Sequence, residues 1–284
     1  MRRKILLPTD FSKHAHHAIR YAQELYKQDA CDFFILNVFS ATSNIFDSLL
    51  NIEPGSELYE SAKLHSENGL AKVYDMIAMS DYDNPKHHFE TISVFNNPIE
   101  AIKNIVEKKD IEMIVMGTKG ETDADDSFFG STAVYVMEKV RNCPVIVVPS
   151  KAKTALPKEI VFPTSFKTHY KRRELKYLTD IAKTCNSTIA ILHISEDKTL
   201  DGEQEANKTL LEEIFEDVNY NYHFLSVNSV ETAINIFVES RDSDMVAFIN
   251  KKHLFFGSVF TKPLVKGITF HSKVPILVMH DLRN

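Results

Sequence analysis

The sequence predicts an α/β fold, a parallel β-sheet covered by helices, written twice within 284 residues. Three observations carry that expectation. Short apolar runs alternate with amphipathic stretches along the chain, which implies strands joined by crossover helices. Several runs are continuous and β-branched rather than alternating, as strands covered on both faces require. The same pattern then recurs in order from about residue 157, the mark of an internal duplication.

The first half sets out its elements in turn. Apolar runs at 4–8, 32–39, 88–94, 111–117 and 144–149 read as strands. After the first, Ser12 can cap a helix whose buried stripe is Ala15, Ala18, Ala22 and Leu25. After the third, Asn97-Pro98-Ile99-Glu100 supplies a cap, a proline at the first helical position and an acid at the third, followed by Ile102, Ile105 and Val106. A last helix begins near Gly130 and precedes the fifth strand. Between the second and fourth strands the first half is about 24 residues longer than the second. The part of it at 44–65 reads equally as a lid, an oligomer contact or a longer helix.

Five matches define the second copy. KILLPTDFS from residue 4 aligns with EIVFPTSFK from 159, sharing Pro-Thr-x-Phe at 8–11 and 163–166. FFILNVF at 33–39 pairs with IAILHIS at 189–195, and EAIKNIVEKKDIEMIVMG at 100–117 with TAINIFVESRDSDMVAFI at 232–249. FFGS occurs at 128–131 and again at 255–258, and CPVIVVP at 143–149 matches VPILVMH at 274–280. The expected units are 1–150 and 157–284, joined by the polar segment 150–158.

Composition narrows the function. Apolar residues form 44% and charged residues 25% of the chain, enough for a normal core in each half. A net charge of −6 without a long basic run argues against nucleic-acid binding. No apolar stretch reaches bilayer length, and the opening MRRKILLPTDFS does not read as a signal peptide. Cys31, Cys143 and Cys185 are scattered with no C-x-x-C pair, which fits a reduced, cytoplasmic setting without disulfides or a zinc site.

The chemistry concentrates in GTKGETDADDSFFGST, 117–132, which holds three of the chain's eight glycines. It leaves the carboxyl end of the fourth strand, where parallel sheets bind ligands near the switch in strand order. Gly117 and Gly120 would admit a bound group to bare backbone. Gly130-Ser131-Thr132 would open a helix whose unpaired amides attract phosphate. The spacing is neither a Walker loop nor a dinucleotide fingerprint.

Taken with LLPTDFS, ILNVF and CPVIVVP, these motifs resemble the universal stress protein family in its tandem, two-domain form. The resemblance covers essentially the full length. It implies five-stranded, Rossmann-like domains of the adenine nucleotide α-hydrolase-like kind, pairing through their last strands as an intramolecular pseudo-dimer. It also implies binding of ATP or a related adenine nucleotide, with or without magnesium or manganese. On that resemblance Pro8, Thr9 and Asp10 lie beside the adenosine, and Val38 offers backbone hydrogen bonds to adenine. Met116 and Gly117 contact the ribose region, and Gly120, Gly130, Ser131 and Thr132 hold the phosphates.

The second copy departs from the pattern. Asp10 is matched by Ser165, Gly117 by Ile249 and Gly120 by Lys252, and the loop to Gly257 is about five residues shorter. One nucleotide site, in the first half, is the expectation. Asp10 also suits a turn or cap beside Ser12, and Asp123, Asp125 and Asp126 read as solvated. His14 and His17, one turn apart, could pair on a metal, yet no third ligand follows and an exposed helical face is the simpler reading. Cys143 reads as core. With no general base or loop arginine evident, a non-catalytic stress or signalling module leads. A slow ATPase or nucleotidyl-transferring enzyme, and an interaction module without nucleotide, stay open, as does association into a further homodimer.

Overall fold

The computed structural model describes residues 2–39, 54–80, 84–118, 131–195, 199–226, 229–250 and 272–280. In the first half β1 (Arg3–Pro8), α1 (Lys13–Leu25), β2 (Cys31–Phe39), α2 (Glu57–Ala78) and β3 (His87–Phe95) lead to α3 (Pro98–Lys109), β4 (Met113–Gly117), α4 (Ser131–Lys139) and β5 (Val145–Val148). The second half runs β6 (Glu159–Thr164), α5 (Arg172–Cys185), β7 (Thr188–Ile194), α6 (Gly202–Ile214), β8 (Asn219–Leu225), α7 (Val230–Arg241), β9 (Met245–Asn250) and β10 (Ile276–His280). The five strands expected in the first half are present within two residues at either end.

The caps explain where helices start. Ser12 Oγ accepts from the Ala15 amide at 3.2 Å, and Asn97 Oδ1 from the Ile99 amide at 3.0 Å, with Pro98 following. These bonds satisfy amides that have no partner inside the helix. Of the segment 44–65, residues 57–65 belong to α2, which Ser56 caps, so a long helix accounts for that part. Residues 44–53 lie outside the described residues.

Among the described residues all strands join one sheet, in the order β3-β2-β1-β4-β5-β10-β9-β6-β7-β8. Each half has the same internal order, with its switch point between β1 and β4 or between β6 and β9. Every neighbouring pair is parallel except β5 and β10, which are antiparallel, Ile276 opposite Val147 and Val278 opposite Val145. The strands of the two halves therefore run in opposite directions, and their carboxyl ends open at opposite ends of the sheet.

Side-chain alternation builds one apolar layer on each face. Ile5, Leu7, Phe33, Ile35, Ile160 and Phe162 meet α1, α2, α5 and α6 on one side. Leu6, Phe34, Leu36, Ile114, Val145 and Val161 meet α3, α4 and α7 on the other. Both layers run through the two halves without a break. This continuous three-layer packing is the expected α/β fold. Cys143 is buried in the second layer, as expected of core, and burial raises its thiol pKa. No described helix is long and apolar enough to cross a membrane.

The segment joining the halves is tied down. His17 Nε2 donates to the Ala152 carbonyl at 3.0 Å, and Lys153 pairs with Asp242 at 2.7 Å. This corrects the exposed-face reading of the histidines, because His14 and His17 are both half-buried. No group of three or more His, Cys, Asp or Glu suited to a metal occurs among the described residues.

Candidate functional site

The carboxyl ends of β1, β2 and β4 form the crevice at the first half's switch point. β1 ends in a tight turn whose geometry comes from Thr9 and Asp10. Phe11 adopts φ 69°, a left-handed conformation that costs a bulky residue about 1–2 kcal/mol. Its amide donates to Thr9 Oγ1 at 3.0 Å, and the Ser12 amide donates to Asp10 Oδ1 at 3.1 Å. The Phe11 ring lies over Gly69 of α2, where an added Cβ would come within 2.4 Å of it. Asp10 thus has the turn role open to it from sequence, while remaining half-buried at the crevice.

The same device stands at the end of β6. Phe166 adopts φ 55°, and its amide donates to Thr164 Oγ1 at 2.9 Å. The Lys167 amide donates to Ser165 Oγ at 3.4 Å. The Pro-Thr-x-Phe shared by the two copies is therefore a structural turn, present whether or not the glycine loop accompanies it. Thr9 owes its place to that turn, and what distinguishes the first half is the carboxylate of Asp10 at the variable position.

β2 overhangs β1. The register ends at Pro8 opposite Leu36, and the Thr9 amide donates to the Leu36 carbonyl at 2.8 Å. Backbone groups repeat their direction every two residues in a strand. Val38 consequently presents its N–H and C=O on the edge that faces the crevice, beyond the end of β1. This is the edge that hydrogen bonds to a flat heterocycle need. Asn37, which sequence reasoning did not single out, is buried beneath it and donates from Nδ2 to the Thr9 carbonyl at 2.7 Å. Its counterpart His193 contacts the Thr164 carbonyl at 3.0 Å through Nδ1. A polar residue inside an apolar strand at matched positions, ILNVF at 35–39 against ILHIS at 191–195, was the available signal.

Met116 is buried within the second apolar layer, and Gly117 ends β4. The first turn of α1 explains Gly117 without any ligand. A Cβ there would stand 2.9 Å from the carbonyl carbon and oxygen of His14 and 3.2 Å from the Ala15 nitrogen. In the second half Ile249 takes the matching register, since Met113 pairs with Ile5 as Met245 pairs with Ile160. There α5 begins four residues later relative to the shared proline and packs chiefly on β10, whereas α1 packs chiefly on β4. The helix has moved away, and a side chain occupies the space.

Pro8, Thr9, Asp10, Val38, Met116 and Gly117 therefore share one end of the sheet. Gly120 and Gly130 lie outside the described residues, as do Asp123, Asp125, Asp126, Lys252 and Gly257. Ser131 and Thr132 open α4, with Thr132 exposed.

Comparison with known proteins gives a consistent picture. The sequence profile of the Universal stress protein family matches residues 1–149. Two universal stress proteins of Methanocaldococcus jannaschii are each 28% identical to the chain. Each match takes in 53% of this chain, against 97% of one relative and 84% of the other. A solved universal stress protein from Archaeoglobus fulgidus superposes with a TM-score of 0.74 at 18% identity and covers 97% of both chains. A Pseudomonas aeruginosa protein described as functionally unknown gives 0.63 at 12% identity, covering 98% of this chain and 92% of its own. The last two similarities establish the shared fold over nearly the whole length.

Proposed function

The chain belongs to the universal stress protein family, and we propose that its first half binds an adenine nucleotide and that the bound state sets its conformation or choice of partner. One observation carries this reading. The Thr9–Asp10 turn and the overhanging backbone of Val38 converge at the switch point of a parallel sheet, where such folds place ligands. Adenine would take the Val38 edge and ribose the Asp10 carboxylate. Phosphates would take the amides that open α4 together with the glycine segment before it.

Residues 1–150 and 157–284 act in this reading as two units of one intramolecular pseudo-dimer, and only the first carries a site. The second unit has Ser165 and Ile249 where Asp10 and Gly117 stand, and its role is that of a structural partner. The nucleotide serves as a ligand rather than a substrate for fast turnover.

Mass spectrometry of small molecules released from freshly purified, denatured protein tests the proposal directly. An adenine nucleotide is expected, and calorimetry with ATP should show binding that the double variant Gly120→Val/Gly130→Val abolishes at unchanged thermal stability. No released nucleotide together with no ATP binding, or full affinity in the variant, would sink the assignment.

A further inference from the structure

The sheet ends on β3 at one side and on β8 at the other. An edge strand presents a row of unpaired backbone groups, and folded proteins guard it with charges or a covering helix. β3 has both guards. α2 packs against it, and Lys109 holds Glu90 of the strand at 2.7 Å. β8, NYNYHFL, has neither. It contains no aspartate, glutamate, lysine, arginine, glycine or proline, and no described helix packs on it as closely as α2 packs on β3.

One bond fixes which way its backbone points. The Ser195 amide donates to the Leu225 carbonyl at 3.1 Å, so Leu225 turns its backbone groups toward β7. These directions alternate along a strand. Asn219, Asn221 and His223 therefore face β7, while Tyr220, Tyr222 and Phe224 face the open edge. The backbone N–H and C=O groups of those aromatic residues have no partner among the described residues. Their rings form a row on one face of the sheet, 5.8 Å apart from Tyr220 to Tyr222 and 6.4 Å from Tyr222 to Phe224. Phe224 is 58% exposed. On the other face His223 Nε2 donates to Asn221 Oδ1 at 2.8 Å, and its ring lies against Phe237 of α7.

A second copy of the chain fits this edge in one register. Antiparallel pairing about a two-fold axis at Tyr222 sets that residue opposite its own copy and Tyr220 opposite the partner's Phe224. All of these are edge-facing, so each pair exchanges both backbone bonds, and the open groups from Tyr220 to Phe224 are satisfied together. The exposed Phe224 ring gains a cross-strand aromatic neighbour. On the other face Asn221 meets the partner's His223, and no like charges oppose. Pairing of β8 with β3 of another copy would instead meet Glu90 and α2, and such a heterologous contact extends into filaments rather than closing.

We propose that β8 is the docking edge for a second copy of this chain, paired antiparallel about Tyr222 so that two ten-stranded sheets become one. The surface lies in the second half, away from the nucleotide crevice, and stands whether or not that crevice is filled.

Light scattering of the full chain over a concentration series should rise to twice the chain mass and stop there. Phe224→Lys places a charge on the edge, and Phe224→Pro removes an edge-facing N–H at a position where proline is tolerated. Either should return the mass to that of one chain with the far-UV circular dichroism unchanged. A mixture of Asn221→Cys and His223→Cys chains reads the register. Opposed residues of a non-hydrogen-bonded pair stand about 4.5 Å apart at Cα, so the mixture should crosslink on mild oxidation while each variant alone does not. A single-chain mass at every concentration, growth beyond two chains, a dimer that survives both Phe224 variants, or a mixture that fails to crosslink overturns the proposal.

Discussion

At Gly117 a hydrogen atom stands where any side chain would strike the backbone of His14. Replacing it by alanine forces α1 off β4 or bends the strand end, an overpacking cost of about 1–3 kcal/mol. Urea denaturation of Gly117→Ala should report that loss. An unchanged midpoint would mean that α1 does not approach so closely. The position was visible in sequence as a glycine, but its cause was not. A glycine beside a proposed ligand reads as space for the ligand, and only the position of α1 assigns it to packing. Asn37 shows the converse. Its side chain serves a carbonyl 28 residues away, a pairing that no local pattern encodes.

Among the elements, the strands and caps were the most legible. Continuous apolar runs between turn residues leave little choice of boundary, and Ser12, Asn97 and Pro98 act within a few residues of their own positions. Ser12→Ala removes the acceptor for the Ala15 amide and should cost about 1 kcal/mol in equilibrium unfolding. A null effect would show that water replaces the cap without penalty. Because the Ser12 amide also bonds Asp10, the loss falls at the turn that shapes the crevice. The differing starts of α1 and α5 were not legible. Both follow a Pro-Thr-x-Phe turn, and just before the later start of α5 Tyr170 is buried with its hydroxyl on Thr164 and its ring edge-on to Phe162. That contact belongs to tertiary packing rather than to helix propensity.

For the whole molecule, β5 and β10 are the seam. All four residues of β5 are buried, and their outer edge is taken by Ile276, Leu277 and Val278. Cutting the chain after residue 150 would bare that edge, an open invitation to strand pairing. The fragment 1–150 should therefore dimerise, with a doubled mass in light scattering. A monodisperse monomer would show that the seam contributes little. Further ties cross the boundary: Arg141 donates to the Asn250 carbonyl at 2.6 Å, and Arg3 lies 3.9 Å from Asp180. By itself the sequence determined the fold class, the duplication and the strand positions, because apolar periodicity and short-range caps act locally and recur in order. Only the tertiary structure decided which glycine answers to packing and that the two crevices open at opposite ends. Each of these depends on distances between elements remote in sequence, set by how helices seat on a sheet.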